Sequence, residues 1–508
     1  MGVYFPALSQ LEKNTRLELP VSNTTEQYRD IFPLGDQGLL ILSRNNPFYE
    51  RRNNWSFSRY DTDLKMIWSK EYKPDIKYSP VMAFHNADYG YWMFVVPDTP
   101  RYMFLQVNLH DGSIDVREGE LLSGLDVHQF KVLSSKALIA GYYRGRPVVV
   151  VHSFFDKSTK VLPGLFEKNM EINNVDIDET TGDINVLTYA FRKKHCQFEI
   201  KTYDYEGRLI KNTVLRDDRN SFISGQIVPL DNVDSYLIGN YSVGCTQYSQ
   251  GLYLAHLDEE GVAGADFIEF SELQNFFNYM KPKKKQRMLD KIGKRKSMGK
   301  ENRFRYRLLV HNLIENEDEI ILVAEVYYPN YRTSTAPYMI GGTFSRNYLR
   351  MEDGYRYTHA IVCGFDKNGK LKWDNSFTLK NLLSDRLQEM VQLTRAGEYY
   401  VLAYPDEKGI HTEVIHRNKT VVEQEKFEIG AGAAYEKVIN QESATILAWY
   451  DQYFMTYGIQ KVGIDRQNRQ QNLPETHHRE VFYIQKLSYN FENIGTERKL
   501  EAEVKNGR

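Results

Sequence analysis

Three classes of protein are excluded by what this 508-residue chain lacks. No apolar run reaches the roughly 18 residues that suggest a membrane-spanning helix. The opening MGVYFPALSQLEKNTR has neither the basic segment nor the long apolar core of a secretory leader. Leu11 onward therefore reads as a mature domain, and Met1–Gly2 is compatible with a start placed after a removed leader. Only three cysteines occur, Cys196, Cys245 and Cys363, far apart and without a CxxC. That excludes a zinc ribbon and a disulfide-framework fold. Buried thiols are the expectation, with a Cys196–Cys245 disulfide left open.

Catalytic signatures are also missing. There is no GxSxG, HExxH or P-loop, and no GxGxxG before a helix. The carboxylates show no diagnostic pairing, and His477–His478 lies in a polar stretch that reads as surface rather than metal site. No cofactor, metal or catalytic residue is expected, and the chain reads as a non-enzyme. One fold can serve both as an enzyme and as a platform, so a carbohydrate-active or peptide-cleaving enzyme and a general protein-interaction scaffold stand as the alternatives.

What is present is unevenly distributed charge. The segment 281–300, KPKKKQRMLDKIGKRKSMGK, holds ten basic residues and one acidic residue, Asp290. Its +9 leaves −11 for the rest of a chain whose formal total is −2. An acidic body with one basic arm argues for a local device rather than a broad nucleic-acid surface. A phosphate-binding arm, a nuclear address, an anionic-membrane patch and a protein-docking arm all remain open from charge alone.

The chain otherwise reads as short strands with turn signals, and one segment recurs. An apolar strand leads to Asp, a turn and a second strand, most clearly in HAIVCGFDKNGKLKWDNSF (359–377). Markers fall at 61, 108, 156, 204, 258 and 366, in steps of 47, 48, 48, 54 and 108, the last spanning one unit plus insertions. Asp204–Gly207, Asp258–Gly261 and Asp366–Gly369 share D-x-x-G, which suits a hairpin turn. Gly supplies positive φ, and Asp bonds the nearby backbone. Asp61–Trp68 and Asp366–Trp373 share a seven-residue offset, and each Trp is expected to cover the neighbouring unit. The DKNG turn lacks the twelve-residue pattern of a calcium loop. The segment resembles the outer hairpin of PQQ-type propeller repeats, with a turn one residue shorter.

Two further strands precede each such hairpin. Four strands in about 48 residues make a propeller blade. The fold class is therefore all-β: a single β-propeller domain over 1–508 with eight four-stranded blades, seven being the alternative, and a helical basic insertion. Inner strands are expected near Arg29, Pro80, Gln129, Asn174, Gly225, Leu309, Val391 and Val438. The last unit offers three strands, so RLELP (16–20) is expected to supply its fourth and close the ring.

Antiparallel alternation places the loop after strand two on the same face as the link to the next blade. Four irregular segments then share one face: 271–303 between units five and six, 329–356 as a long loop within unit six, 45–55, and 463–479. Connections this long are usually functional or disordered. SELQNFFNYM opens with the capping pair Ser271 and Gln274, and Leu273, Phe276, Phe277 and Met280 fall on one helical stripe. Pro282 is expected to end that helix. Beyond it, Met288, Leu289 and Ile292 give the basic run a weak apolar edge, compatible with a second helix, the alternative being a solvated charge run.

At HNLIENEDEIILVAEVYYPNY (311–331) and GYRYTHAIVCGFDKNGKLKWDNSF (354–377) the chain resembles a family of secreted or periplasmic propeller-like proteins of the Bacteroidota, the plug proteins of the type IX secretion translocon among them. The resemblance is strongest over about 271–380. It implies a periplasmic protein associated peripherally with an outer-membrane complex. Its partner would be the large translocon barrel, whose periplasmic end it would seal, and no nucleic acid would be bound. The candidate partner-binding residues are Phe276, Phe277, Lys283, Lys284, Lys285, Arg287, Lys291, Lys294, Arg295, Lys296, Tyr331, Tyr338, Phe344 and Tyr348.

Overall fold

A computed structural model describes residues 11–491, except 22–24, 48–53, 179–180, 193–194, 231–233, 259–260, 341–342, 408 and 466–477. The central strands explain the architecture. Leu39–Leu42, Tyr91–Phe94, Val148–Val151, Leu252–Ala255, Ile320–Ala324 and Tyr400–Tyr404 are buried along their whole length, rather than at alternate positions. A strand buried on both faces needs a sheet packed on each side. The chain meets this need with eight sheets whose neighbours pack face to face, an eight-bladed β-propeller. Blades 1 to 7 span 25–72, 79–120, 125–161, 170–215, 220–269, 307–384 and 392–427. Blade 8 takes three strands from 436–489, and Leu11–Pro20 supplies its outermost.

The outer hairpins turn as their residues dictate. Asp204, Asp258 and Asp366 accept backbone N–H bonds from Arg208, Gly261 and Lys370 at 2.8–2.9 Å. Gly207, Gly261 and Gly369 take φ of 71°, 135° and 75°. In blade 1 Leu64 stands at the equivalent position and adopts φ 60° despite its side chain. Trp68 reaches blade 2, donating to the Leu109 carbonyl at 3.1 Å. Trp373 lies against Tyr400 of blade 7, with ring centroids 5.6 Å apart.

A second repeated device was not visible in the sequence. The inner strands of blades 2, 3, 4, 5 and 8 each carry a one-residue shift of register, between Pro80 and Met82, Val127 and Gln129, Ile172 and Asn174, Phe222 and Ser224, and Val438 and Asn440. Such bulges raise local twist and re-aim a side chain. At or near them sit amides that stitch one blade to the next. Gln129 accepts from Val175 N at 3.0 Å, Asn173 from Gly225 N at 3.1 Å and Gln226 from Leu313 N at 2.9 Å. Elsewhere Gln392 accepts from Ala448 N at 3.0 Å, and Tyr102 meets His152 at 2.7 Å.

Closure joins the chain's two ends. Leu11–Pro20 runs antiparallel to His478–Tyr489, with Leu17 opposite Ile484 and Pro20 opposite Val481. Arg16 donates to Gln460 at 2.8 Å and to the Gly430 carbonyl at 3.0 Å. Arg479 forks onto Glu436 at 2.8 and 2.7 Å and reaches Glu18 at 2.6 Å. These carboxylates hold the Arg479 guanidinium firmly charged. Trp449 then donates to the Gly38 carbonyl at 2.8 Å, tying blade 8 to blade 1.

Two expectations are corrected. Cys196 and Cys245 are not separate buried thiols. They form a disulfide with Cα atoms 5.5 Å apart, because Cys196, at the start of blade 4's third strand, lies beside the second-to-third-strand loop of blade 5 that carries Cys245. Cys363 is a buried free thiol, pushed up in pKa by burial. The segment 329–356 is not a long loop. Strands Glu319–Ile340 and Thr343–Asp366 stay paired as far as Ile340 opposite Thr343, making an extended hairpin. Segments 45–55 and 463–479 join second to third strands as expected, but their central residues, 48–53 and 466–477, lie outside the described residues.

Arg479→Ala should lower stability by about 2 kcal/mol, the scale of hydrogen bonds to charged groups, read as a shifted urea midpoint. Reduction of the disulfide should cost about 2–4 kcal/mol for a loop of this length. A non-reducing peptide map should show Cys196 linked to Cys245, with Cys363 unreactive until the chain unfolds.

Candidate interaction face

The link between blades 5 and 6 is the most elaborate connection among the described residues. Its first part is not the helix expected over 271–280. Ser271 bonds Glu269 at 2.8 Å rather than capping, and only Phe276–Tyr279 forms a single 3-10 turn. The reason is a tertiary acceptor. The Asp374 carboxylate, in the outer strand of blade 6, takes Gln274 N at 2.8 Å and Asn275 N at 2.7 Å. Asn275 also donates to the Asp374 carbonyl at 2.7 Å and to the Asn418 carbonyl of blade 7 at 3.2 Å. Burial raises the pKa of Asp374, and the two N–H donors oppose that rise.

The apolar residues of the segment form a wedge. Phe276 and Phe277 are 0% and 2% exposed, in one cluster with Leu252 and Leu254 of blade 5, Ile361 and Phe365 of blade 6, and Phe304 and Tyr306 from the end of the link. Phe276 stacks on Phe270 at 4.2 Å. Tyr279 lies flat on His359 at 3.7 Å. Burial pushes the His359 imidazole down to about 3, so it packs as a neutral ring. Phe276 and Phe277 are thus corrected from partner-touching residues to anchors, since nothing outside the fold can reach them.

Pro282 does not stop a helix but starts one. Pro282–Ser297 is a 16-residue α-helix with Pro in its first turn, where a missing N–H costs nothing. Lys294, Arg295 and Lys296 fall in its last turn, where cations suit the helix dipole. Ile292 is buried and Met288 packs against the same cluster, so the weak apolar edge seats the helix. Lys283, Lys284, Arg287, Lys291, Lys294 and Lys296 are exposed; Lys285 and Arg295 are half-buried. Lys285 donates to Asn278, while Arg295 donates to the Glu301 carbonyl at 2.9 Å. The Glu301 carboxylate is taken by Arg219 of the link before blade 5.

The helix lies beside the root of the long hairpin. Tyr328, where the hairpin leaves blade 6, shares a cleft of about 590 Å³ with Lys291, Ile292 and Arg295 of the helix. Tyr331 is exposed at the hairpin's base. Register sets Tyr338 opposite Ser345, Phe344 opposite Met339 and Tyr348 opposite Thr335; the side chains of Tyr338, Phe344 and Tyr348 lie outside the described residues.

One buried pair escaped the sequence reading. His311 meets Glu325 at 2.9 Å, and both are buried. Burial lowers the imidazole's pKa, but the Glu325 hydrogen bond and charge outweigh it, and the net direction is upward. Glu325 also accepts Met390 N and Val391 N at 2.7 Å, so it ties blade 6 to blade 7. The sequence signal was a lone Glu within the apolar run IILVAEV. Among the described residues no group of His, Cys, Asp and Glu could hold a metal ion. Nor, among the described residues, is any helix long and apolar enough to cross a membrane.

No family model and no curated protein matches the chain. Solved structures do. The chain is similar to the Dos1 propeller (9% identity, 94% of this chain and 96% of that one, TM-score 0.40). It is also similar to the polysaccharide lyase Uly1 (8%, 80% and 90%, 0.38) and to a eukaryotic initiation factor (7%, 90% and 98%, 0.37). At such identities the likeness is one of fold, and it carries no activity with it.

Asp374→Ala should free the anchor by removing the acceptor of the Gln274 and Asn275 backbone N–H groups. Limited trypsin digestion should then cut within 281–300 markedly faster than in the parent, while blade stability, read by circular dichroism, changes by no more than about 3 kcal/mol.

Proposed function

We propose that this propeller is a non-enzymatic periplasmic binding protein. It docks through its insertion face on the large outer-membrane barrel of a type IX secretion translocon and plugs the periplasmic end. The supporting observation is the pairing of a basic helix with a long hairpin on an otherwise acidic body. A closed ring is a stiff stopper with no open sheet edge at its seam. The helix and hairpin together offer a protein rim both charge and shape. The Cys196–Cys245 bond suits an oxidising compartment, and the resemblance over 271–380 supplies the partner's identity. Loops that exceed what a connection needs are where binding usually resides.

The arm is charged and exposed, so its contribution is electrostatic and screened by salt. Replacing 281–300 with a short neutral linker should keep the cooperative unfolding of the β-propeller, with only the helix's contribution lost from the circular dichroism. Capture of the detergent-solubilised barrel should weaken, with the largest loss at low ionic strength. Full co-purification of the deletion variant with the barrel would sink the docking reading.

A further inference from the structure

The cleft between the basic helix and the hairpin root has a composition that names its occupant. Its floor is aromatic and aliphatic: Tyr279, Phe304, Tyr306, Tyr328, Met288 and Ile292. Tyr279 and Tyr306 meet hydroxyl to hydroxyl at 3.0 Å, and burial pushes the Tyr328 hydroxyl up to about 12, so the floor is uncharged. Its rim is cationic: Lys291, Arg295, Arg303 and Arg305. Arg303 and Arg305 are exposed, and neither has an acidic partner among the described residues. Glu301 is paired with Arg219, and Asp290, bonded to the Gln286 amide, does not line the cleft. Arg295 donates to a backbone carbonyl, which leaves its charge uncompensated.

We infer that this cleft receives an acidic peptide segment of the docking partner, its carboxylates held by the Lys291–Arg295–Arg303–Arg305 rim and an apolar side chain seated on the tyrosine floor. The inference rests on the docking reading and supplies the partner's contacting chemistry. The cleft's volume falls within the range of about 300–1,000 Å³ that small-ligand pockets occupy, room for a few side chains rather than a folded surface. Planar guanidinium groups match carboxylates in two-pronged geometry. An extended polyanion such as a duplex would run from the cleft onto a body whose remaining charge is −11 and be repelled there. An anionic membrane would have to flatten against a face from which the hairpin continues for ten more residues per strand, about 33 Å at the usual rise.

The test is fluorescence anisotropy of the full chain with a short labelled peptide of alternating Glu and Phe. A Gln-for-Glu counterpart, an arbitrary DNA duplex and vesicles of anionic phospholipid are run alongside. The acidic peptide should bind in a salt-dependent way and the Gln peptide should not saturate. Affinity should fall about tenfold or more in Arg303→Glu/Arg305→Glu and also fall in Lys291→Glu. These side chains are exposed, so the variants keep the parent's circular dichroism. Equal binding of the two peptides, unchanged affinity in the double variant, or tighter binding of duplex or vesicles overturns the proposal. Capture of the barrel separates the two readings. If the 281–300 deletion loses the barrel while the double arginine variant keeps it, the cleft assignment fails and docking stands. If both keep it, docking fails as well.

Discussion

The fold depends on the pairing of Leu11–Pro20 with His478–Tyr489. Each blade buries both faces against its neighbours, so an unclosed ring would leave the apolar faces of its two end blades in water. Closure at this seam buries those two faces, and a connected side-chain network sits there. Arg16, Glu18, Arg479, Glu436, Gln460 and Gln485 are bonded to one another across the closing strands. The network is only partly exposed, which is where bidentate arginine pairs outperform surface ion pairs.

A closed ring also fixes where extra chain can go. With strand ends confined to two faces, the link after blade 5 and the hairpin of blade 6 emerge close together, and the cleft lined by Tyr328 and Arg295 is the result. The basic run is thereby an ordered helix held at a defined site, not a free tail. Its anchor is also structural. Leu273, Phe276 and Phe277 complete the contact between blades 5 and 6, so the element that carries the charge is the one that fills the seam.

Much of this was legible beforehand because it rests on local chemistry. The Asp-to-Gly turns, the covering tryptophans and the inner strand of each blade follow from residues close in the chain, and the missing outer strand of blade 8 from the count of strands in the last unit. The site was legible in its charge and in its neighbourhood, but not in its roles. Phe276 and Phe277 carried a helical spacing that a 3-10 turn and a wedge satisfy equally well. What chose between them was Asp374, about a hundred residues away. The disulfide and the blade-to-blade amides were illegible for the same reason, since each joins groups that only the packing of one blade on the next brings together; the His311–Glu325 pair is local to blade 6 and was signalled only by a lone Glu in an apolar run.

The sequence by itself determined the repeat, a count of eight blades with seven as the alternative, the strand that closes them and the separation of a +9 arm from a −11 body, because these are set by periodicity, turn chemistry and charge count. Only the tertiary structure decided that the aromatic residues before Pro282 are buried, that Pro282 begins the basic helix, that Cys196 meets Cys245, and that Arg303 and Arg305 join the helix in rimming an aromatic cleft. Those outcomes depend on which distant backbone donors, acceptors and apolar surfaces end up within a few ångströms, which ring closure imposes and no local pattern encodes.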